Sequence, residues 1–102
     1  MFARVLKSHL KMDKIAEATQ IFQEIVIPLC REQKGFRGAF YMSDPKTGES
    51  VALTFWEGRE AMLATEESRF FQEQVARFVP FYTQPPIREA YEVAIREEVD
   101  AS

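Results

Sequence analysis

The spacing of apolar positions changes several times along the chain, and each change marks an element. Residues 2 to 11, FARVLKSHLK, alternate loosely between apolar and polar positions, the period-two pattern of a strand. From Met12 to Gly35 the period lengthens. Ile15, Ala18, Phe22, Ile25, Val26 and Leu29 gather on one stripe of an amphipathic helix, with Asp13 as its N-cap and Gly35 as its stop. Pro28 lies inside this pattern and predicts a kink or loosening near Glu24, because proline brings no N–H and its ring crowds the preceding turn. Ile27 falls off the stripe, toward a neighbour.

Period two returns in GFRGAFYMS, residues 35 to 43, and ESVALTFWE, residues 49 to 57. The intervening DPKTG is turn chemistry: Pro45 presets a torsion, Asp44 can bond the backbone ahead, and Gly48 tolerates a positive φ. The pair predicts a hairpin. EGREAMLA then reads as a short helix opening at Gly58, and Thr65 or Ser68 offers a second cap. In RFFQEQVARFVPFY the side chains of Phe71, Val75, Phe78, Val79 and Tyr82 share one face, and TQPP stops the helix. IREAYEVAIRE, residues 87 to 97, is the last strand, and residues 98 to 102 form a polar, frayed tail.

Strand, helix, hairpin, helix, strand amounts to two βαβ halves sharing the hairpin. Right-handed crossovers convert that order into a ferredoxin-like α+β domain over residues 1 to 97, a four-stranded antiparallel sheet with two helices on one face. One parity of strand positions carries Leu6, Phe36, Phe40, Met42, Val51, Leu53, Phe55, Tyr91, Val93 and Ile95, and is expected to meet the helices. The other carries Val5, Ala39, Tyr41, Ala52, Thr54, Trp56, Ala90 and Ala94. That second face is too apolar for a solvated sheet. A second copy placed sheet to sheet is its economical cover, so the chain is expected to be a homodimer, with Trp56 on the subunit contact.

At 102 residues the chain has room for one core. Thirteen basic and sixteen acidic residues, net charge -3, are dispersed, without the basic cluster a nucleic-acid binder needs. No apolar run is long enough to span a bilayer, and no signal-peptide pattern opens the sequence. A single cysteine, Cys30, permits no internal disulfide. A reduced, cytoplasmic protein that binds neither membrane nor nucleic acid is the expectation.

CREQKGFRGAFYMSDPKTGESVALTFWEGREAMLATEESRFFQEQV, residues 30 to 75, resembles the antibiotic biosynthesis monooxygenase domain, and the likeness extends over nearly the whole chain. Its carriers are the helix followed by Gly35-Phe36-x-Gly38, the Asp-Pro-x-x-Gly turn, and a strand ending Trp56-Glu57 before the second helix. The resemblance implies a dimeric α/β barrel with a cavity between sheet and helices. Members include cofactor-free oxygenases of quinols and anthrones, haem-degrading enzymes, and proteins with no assigned reaction. In the cofactor-free members a tryptophan at the position of Trp56 lines the cavity, with an asparagine four residues earlier; here that place holds Ala52. The haem-degrading members bind iron through a histidine on the second helix, and the matching stretch, Ser68 to Gln74, has none.

Trp56 can wall a flat aromatic ligand and donate its N–H to a developing oxyanion, or simply fill the core or the subunit contact. His9, the sole histidine, is the candidate base that would ionise a phenol, or else a strand-end residue bonded to its surroundings. Arg77 is the candidate holder of an enolate, with Arg69 behind it, against the alternative of exposed helix arginines. Phe40, Tyr41, Phe70, Phe71, Phe78 and Tyr82 are candidate pocket residues, or plain core. One histidine and one cysteine give no basis for a metal site, and no cofactor is expected. Two functions follow: a cofactor-independent monooxygenase acting on a small aromatic, quinol-like substrate, or a non-catalytic dimeric module that binds a small ligand or only supports structure.

Overall fold

The computed structural model describes residues 1–100. Four strands, β1 (Phe2–His9), β2 (Phe36–Ser43), β3 (Glu49–Trp56) and β4 (Ile87–Glu92), form one sheet in the order β2-β3-β1-β4. Every neighbouring pair is antiparallel. The fold is ferredoxin-like, as its element order predicts. The last strand is shorter than its alternating sequence suggests: it stops at Glu92, after which Val93 N–H bonds the Met1 carbonyl (2.8 Å) and no regular element follows among the described residues. Of the expected tail, residues 101 and 102 lie outside the described residues.

The first helical layer opens with a 3₁₀ turn, Met12–Lys14, which takes in Asp13; no side chain caps it. Helix α1 (Ile15–Ile21) runs through a widened turn, Phe22–Val26, into α2 (Ile27–Arg31). In the widened turn Ile27 N–H reaches back five residues to the Phe22 carbonyl, immediately before Pro28. This is the loosening predicted from Pro28, which has no N–H to offer the Glu24 carbonyl. The extra residue in the turn rephases the stripe: Ala18, Phe22, Val26 and Cys30 are buried, Ile25 rotates outward, and Ile27 packs against the core.

The hairpin turn forms as its residues dictate. Asp44 Oδ1 accepts from Lys46 N–H at 2.8 Å, and the Asp44 carbonyl accepts from Gly48 N–H at 2.9 Å. Gly48 has φ 86°, and a side chain there would strike the Leu10 carbonyl. The second helical layer is α3 (Arg59–Glu67), opened by Gly58, then α4 (Phe70–Ala76) and a 3₁₀ turn, Val79–Phe81. Neither Thr65 nor Ser68 acts as the N-cap of α4; Arg69 holds that place with φ 68°. The chain then docks on the end of β1, with Lys11 N–H to the Phe81 carbonyl and Thr83 N–H to the His9 carbonyl, both 2.8 Å.

The register corrects the expected assignment of sheet faces. Leu6 pairs with Ala52 and Val5 with Leu53, so Leu6 shares a face with Ala52, Thr54 and Trp56 rather than with Leu53 and Phe55. That face lies under the helices. A bulge at Arg37, between Phe36 and Gly38, turns Phe36 to the same side, where its ring meets Trp56 edge-on with centroids 5.4 Å apart. Phe40, Met42, Val51, Leu53, Phe55 and Tyr91 face away from the helices. The helices bring their own bulk in Phe22, Phe78 and Phe81, so small strand residues, Ala39, Ala52 and Thr54, fit beneath them.

Candidate functional site

Between the sheet and the helices lies a cavity of about 60 Å³. Strand alternation sends Arg4, Leu6 and Ser8 of β1, Tyr41 of β2, and Ala52, Thr54 and Trp56 of β3 toward it. The widened turn contributes Phe22 and Val26, and α4 with its continuation contributes Phe70, Phe71, Gln74, Val75, Phe78 and Tyr82. Phe22 stacks on Tyr41 with centroids 4.6 Å apart, and Tyr41 leans on Phe78 at 6.4 Å. The space is about that of two water molecules.

Trp56 is therefore part of the cavity wall and not of the subunit face expected for it. It is 1% exposed, and its indole N–H donates to Thr54 Oγ1 at 3.0 Å. Tyr41, Phe70, Phe71, Phe78 and Tyr82 line the same cavity. Phe40 does not: one step along β2 from Tyr41, it points from the opposite face and packs edge-on against Phe55 at 5.9 Å.

His9 and Arg77 also lie outside the lining. His9 alternates away from Ser8 at the end of β1. Its Nδ1 is 2.9 Å from Thr83 Oγ1, and that hydroxyl donates to the His9 carbonyl at 3.2 Å. Arg77 is exposed; its Nε–H donates to Gln74 Oε1 at 3.0 Å, so it reaches the cavity only through the orientation of Gln74.

Arg4 is the residue that sequence reading passed over. It is 4% exposed, donating from Nη1 to Thr65 Oγ1 (3.1 Å) and from Nη2 to the Met62 carbonyl (2.9 Å) and Glu66 Oε2 (3.0 Å). Its guanidinium lies 4.1 Å from the centre of the Phe71 ring. Glu66 Oε1 also holds Arg88 Nη1 at 2.7 Å. Burial lowers the pKa of Arg4 against the opposing pull of Glu66, yet a guanidinium remains charged. The available signal was parity, since Arg4 shares the inward positions of Leu6 and Ser8 on β1.

The other titratable lining groups stay neutral near pH 7. Burial pushes the Cys30 thiol up to about 11 and the Tyr82 phenol up to about 12, and raises Tyr41 as well, against a smaller lowering influence of Ser50. Among the described residues the lining contains no carboxylate, histidine or lysine. No group of three or more His, Cys, Asp or Glu side chains that could hold a metal ion occurs among the described residues. No helix among them is long and apolar enough to cross a membrane.

An antiparallel ferredoxin-like sheet with an aromatic cavity beneath its helices defines the class to which the comparisons point. The family model for antibiotic biosynthesis monooxygenase matches residues 1–77, and the chain belongs to that family. No curated protein sequence matches it. Among solved structures it is similar to the monooxygenase ActVA-Orf6 of Streptomyces coelicolor, solved with nanaomycin D, at 20% identity and TM-score 0.71, covering 99% of this chain and 92% of that one. It is similar also to an asparagine-to-alanine variant of SnoaB, a cofactor-independent oxygenase of Streptomyces nogalater, at 13% identity and TM-score 0.73, covering 93% and 94%. A Nitrosomonas europaea protein of unknown function matches at 14% identity and TM-score 0.74, covering 98% and 95%. At these identities the structural likeness speaks for the fold alone.

Proposed function

We propose that this protein is a cofactor-independent monooxygenase acting on a small aromatic, quinol-like substrate held beside Trp56. The observation that carries the reading is the aromatic cavity between sheet and helices, with the only tryptophan in its wall. Family membership supports monooxygenase chemistry. In such a reaction a substrate CH2 held between two aromatic rings, and conjugated through them to a carbonyl, loses a proton, and the anion passes one electron to O2. The radical pair combines to a peroxide, which loses water to leave C=O. The two C–H bonds supply four electrons, and O2 supplies the new carbonyl oxygen and the oxygen of water.

The protein's part is to exclude water, hold the ring and favour the anion. His9 lies outside the lining, so the proton leaves to solvent or to a base brought close when the cavity opens. A ring needs more room than two waters occupy, since benzene fills an engineered cavity of roughly 150 Å³. The same small volume favours a second reading, a non-catalytic member of the fold. Oxygen uptake by the purified protein with a panel of quinols and anthrones separates the two. Turnover reduced by Trp56→Phe supports the oxygenase; ligand binding without uptake across the panel supports the module.

The sheet face away from the helices supports a homodimer. Phe40 (54% exposed), Met42 (48%), Ile87 (58%) and Tyr91 (53%) lie on it with Val5, Leu53 and Phe55, around the Lys7–Glu89 ion pair. A broad, largely apolar sheet face can pair with its own copy about a two-fold axis. Sedimentation as a single subunit at micromolar concentration would overturn the dimer.

A further inference from the structure

We propose that Arg4 makes the cavity selective for planar aromatic ligands bound as oxyanions, their anionic oxygen taking the N–H groups that Arg4 leaves unused. This rests on the cavity reading above and names the class of ligand for it. A guanidinium has five N–H donors. Three bonds account for three of them, and Nε has no acceptor among the described residues although it is buried. A buried donor without a partner favours any ligand that supplies one.

The charge balance points the same way. Arg4 and Arg88 share one carboxylate, Glu66, which leaves a surplus of one positive charge beside a largely apolar and aromatic wall. The remaining groups around Arg4 add nothing to offset it: Thr65 and the Met62 carbonyl are neutral, and so are Cys30, Tyr41 and Tyr82 across the cavity near pH 7. No lining side chain is a base. A fixed cation that lowers the pKa of the bound ligand lets solvent water take its proton without a base in the wall. Phe71 covers the guanidinium at 4.1 Å and also lines the cavity, so the cation and the aromatic surface that would hold a ring adjoin each other.

The test is binding, read apart from turnover. 4-Nitrophenol, whose ionisation is visible in its absorbance, is compared with its methyl ether, 4-nitroanisole, by titration followed through Trp56 fluorescence. The phenolate should bind at least about tenfold more tightly than the ether, and the bound phenol should ionise about one pH unit below the free phenol. Glu66→Gln raises the local surplus to two positive charges and should tighten phenolate binding while leaving the ether unchanged. Arg4→Met should abolish the preference; if that variant fails to fold, the Glu66→Gln comparison decides. Equal affinity for the two probes, a bound phenol that ionises at or above the pH of the free one, no response to Glu66→Gln, or no binding of either probe would overturn the proposal. A phenolate preference without oxygen uptake on any quinol removes the oxygenase reading and leaves this one standing; uptake without the preference does the reverse.

Discussion

The indole N–H of Trp56 donates to the hydroxyl of Thr54, two residues back on the same strand, at 3.0 Å. The donor proposed for a developing oxyanion is thus already engaged, and Trp56 acts as a wall held in one orientation. Thr54→Val keeps the shape and removes the acceptor. It should destabilise the fold by about 1–3 kcal/mol, the usual consequence of stranding a buried donor, whereas Thr54→Ser should lose much less. Urea unfolding followed by tryptophan fluorescence measures both, since Trp56 is the only tryptophan. Equal stability of the valine and serine variants would show that the N–H finds another partner.

The outward sheet face supplies the second prediction. Phe40 is more than half exposed, and its packing in the single subunit includes an edge contact with Phe55. Phe40→Asp should therefore reduce subunit stability by only about 1 kcal/mol, the worth of an aromatic pair. In a sheet-to-sheet dimer the same change buries two unpaired carboxylates against apolar surface. If the unaltered protein pairs through this face, the variant should sediment as a single subunit at the concentrations where pairing is seen. Unchanged sedimentation of the variant would remove this face from the interface.

Tyrosine burial gives a pH dependence whose sign is set. In the unfolded chain a tyrosine ionises near pH 10, while in the fold burial raises Tyr82 to about 12 and Tyr41 in the same direction. The unfolded chain loses its protons first, so this contribution to stability is complete below about pH 10 and falls as pH rises toward 12. Tyr82→Phe should flatten that decline. Denaturant midpoints at pH 9 and pH 11.5 for both proteins test it; parallel declines would place the phenol of Tyr82 in water.

These results separate what local chemistry encodes from what pairing decides. The hairpin turn was legible because Asp44 and Gly48 act within five residues, and the widened turn was legible because Pro28 withdraws its own donor. The facing of the sheet was not legible. Bulk alone favoured placing Phe40, Leu53 and Phe55 under the helices, but only the register with β1 shows that Leu6 shares a face with Ala52. The bulge at Arg37 reverses the parity of Phe36 with no signal beyond Gly38. Trp56, Tyr41 and the α4 aromatics were recognisable as a cavity set, whereas His9 and Arg77 were chosen for chemical type and lie outside the lining. Arg4 was overlooked because a strand arginine is ordinarily solvated, and its partners Thr65 and Glu66 lie more than sixty positions away.

The junction at Gly35 carries the last prediction. Its φ is 84°, and a methyl group there would sit 2.6 Å from Ala61 Cβ on α3, while its carbonyl accepts Glu57 N–H at 2.7 Å. One residue thus turns the chain from the first helical layer into β2 and lets α3 lie close against that turn. Gly35→Ala combines an unfavourable positive φ with overpacking, together about 2–4 kcal/mol. Gly58→Ala is the control: it is also a glycine next to α3, but its φ is -159° and nothing lies within 4 Å of an added Cβ. Losing a glycine N-cap and gaining a stiffer unfolded chain nearly cancel there, leaving a change within about 0.5 kcal/mol. Chemical denaturation of the two variants tests the contrast. Similar losses at both positions would mean that Ala61 yields readily and that α3 is not clamped on the turn before β2.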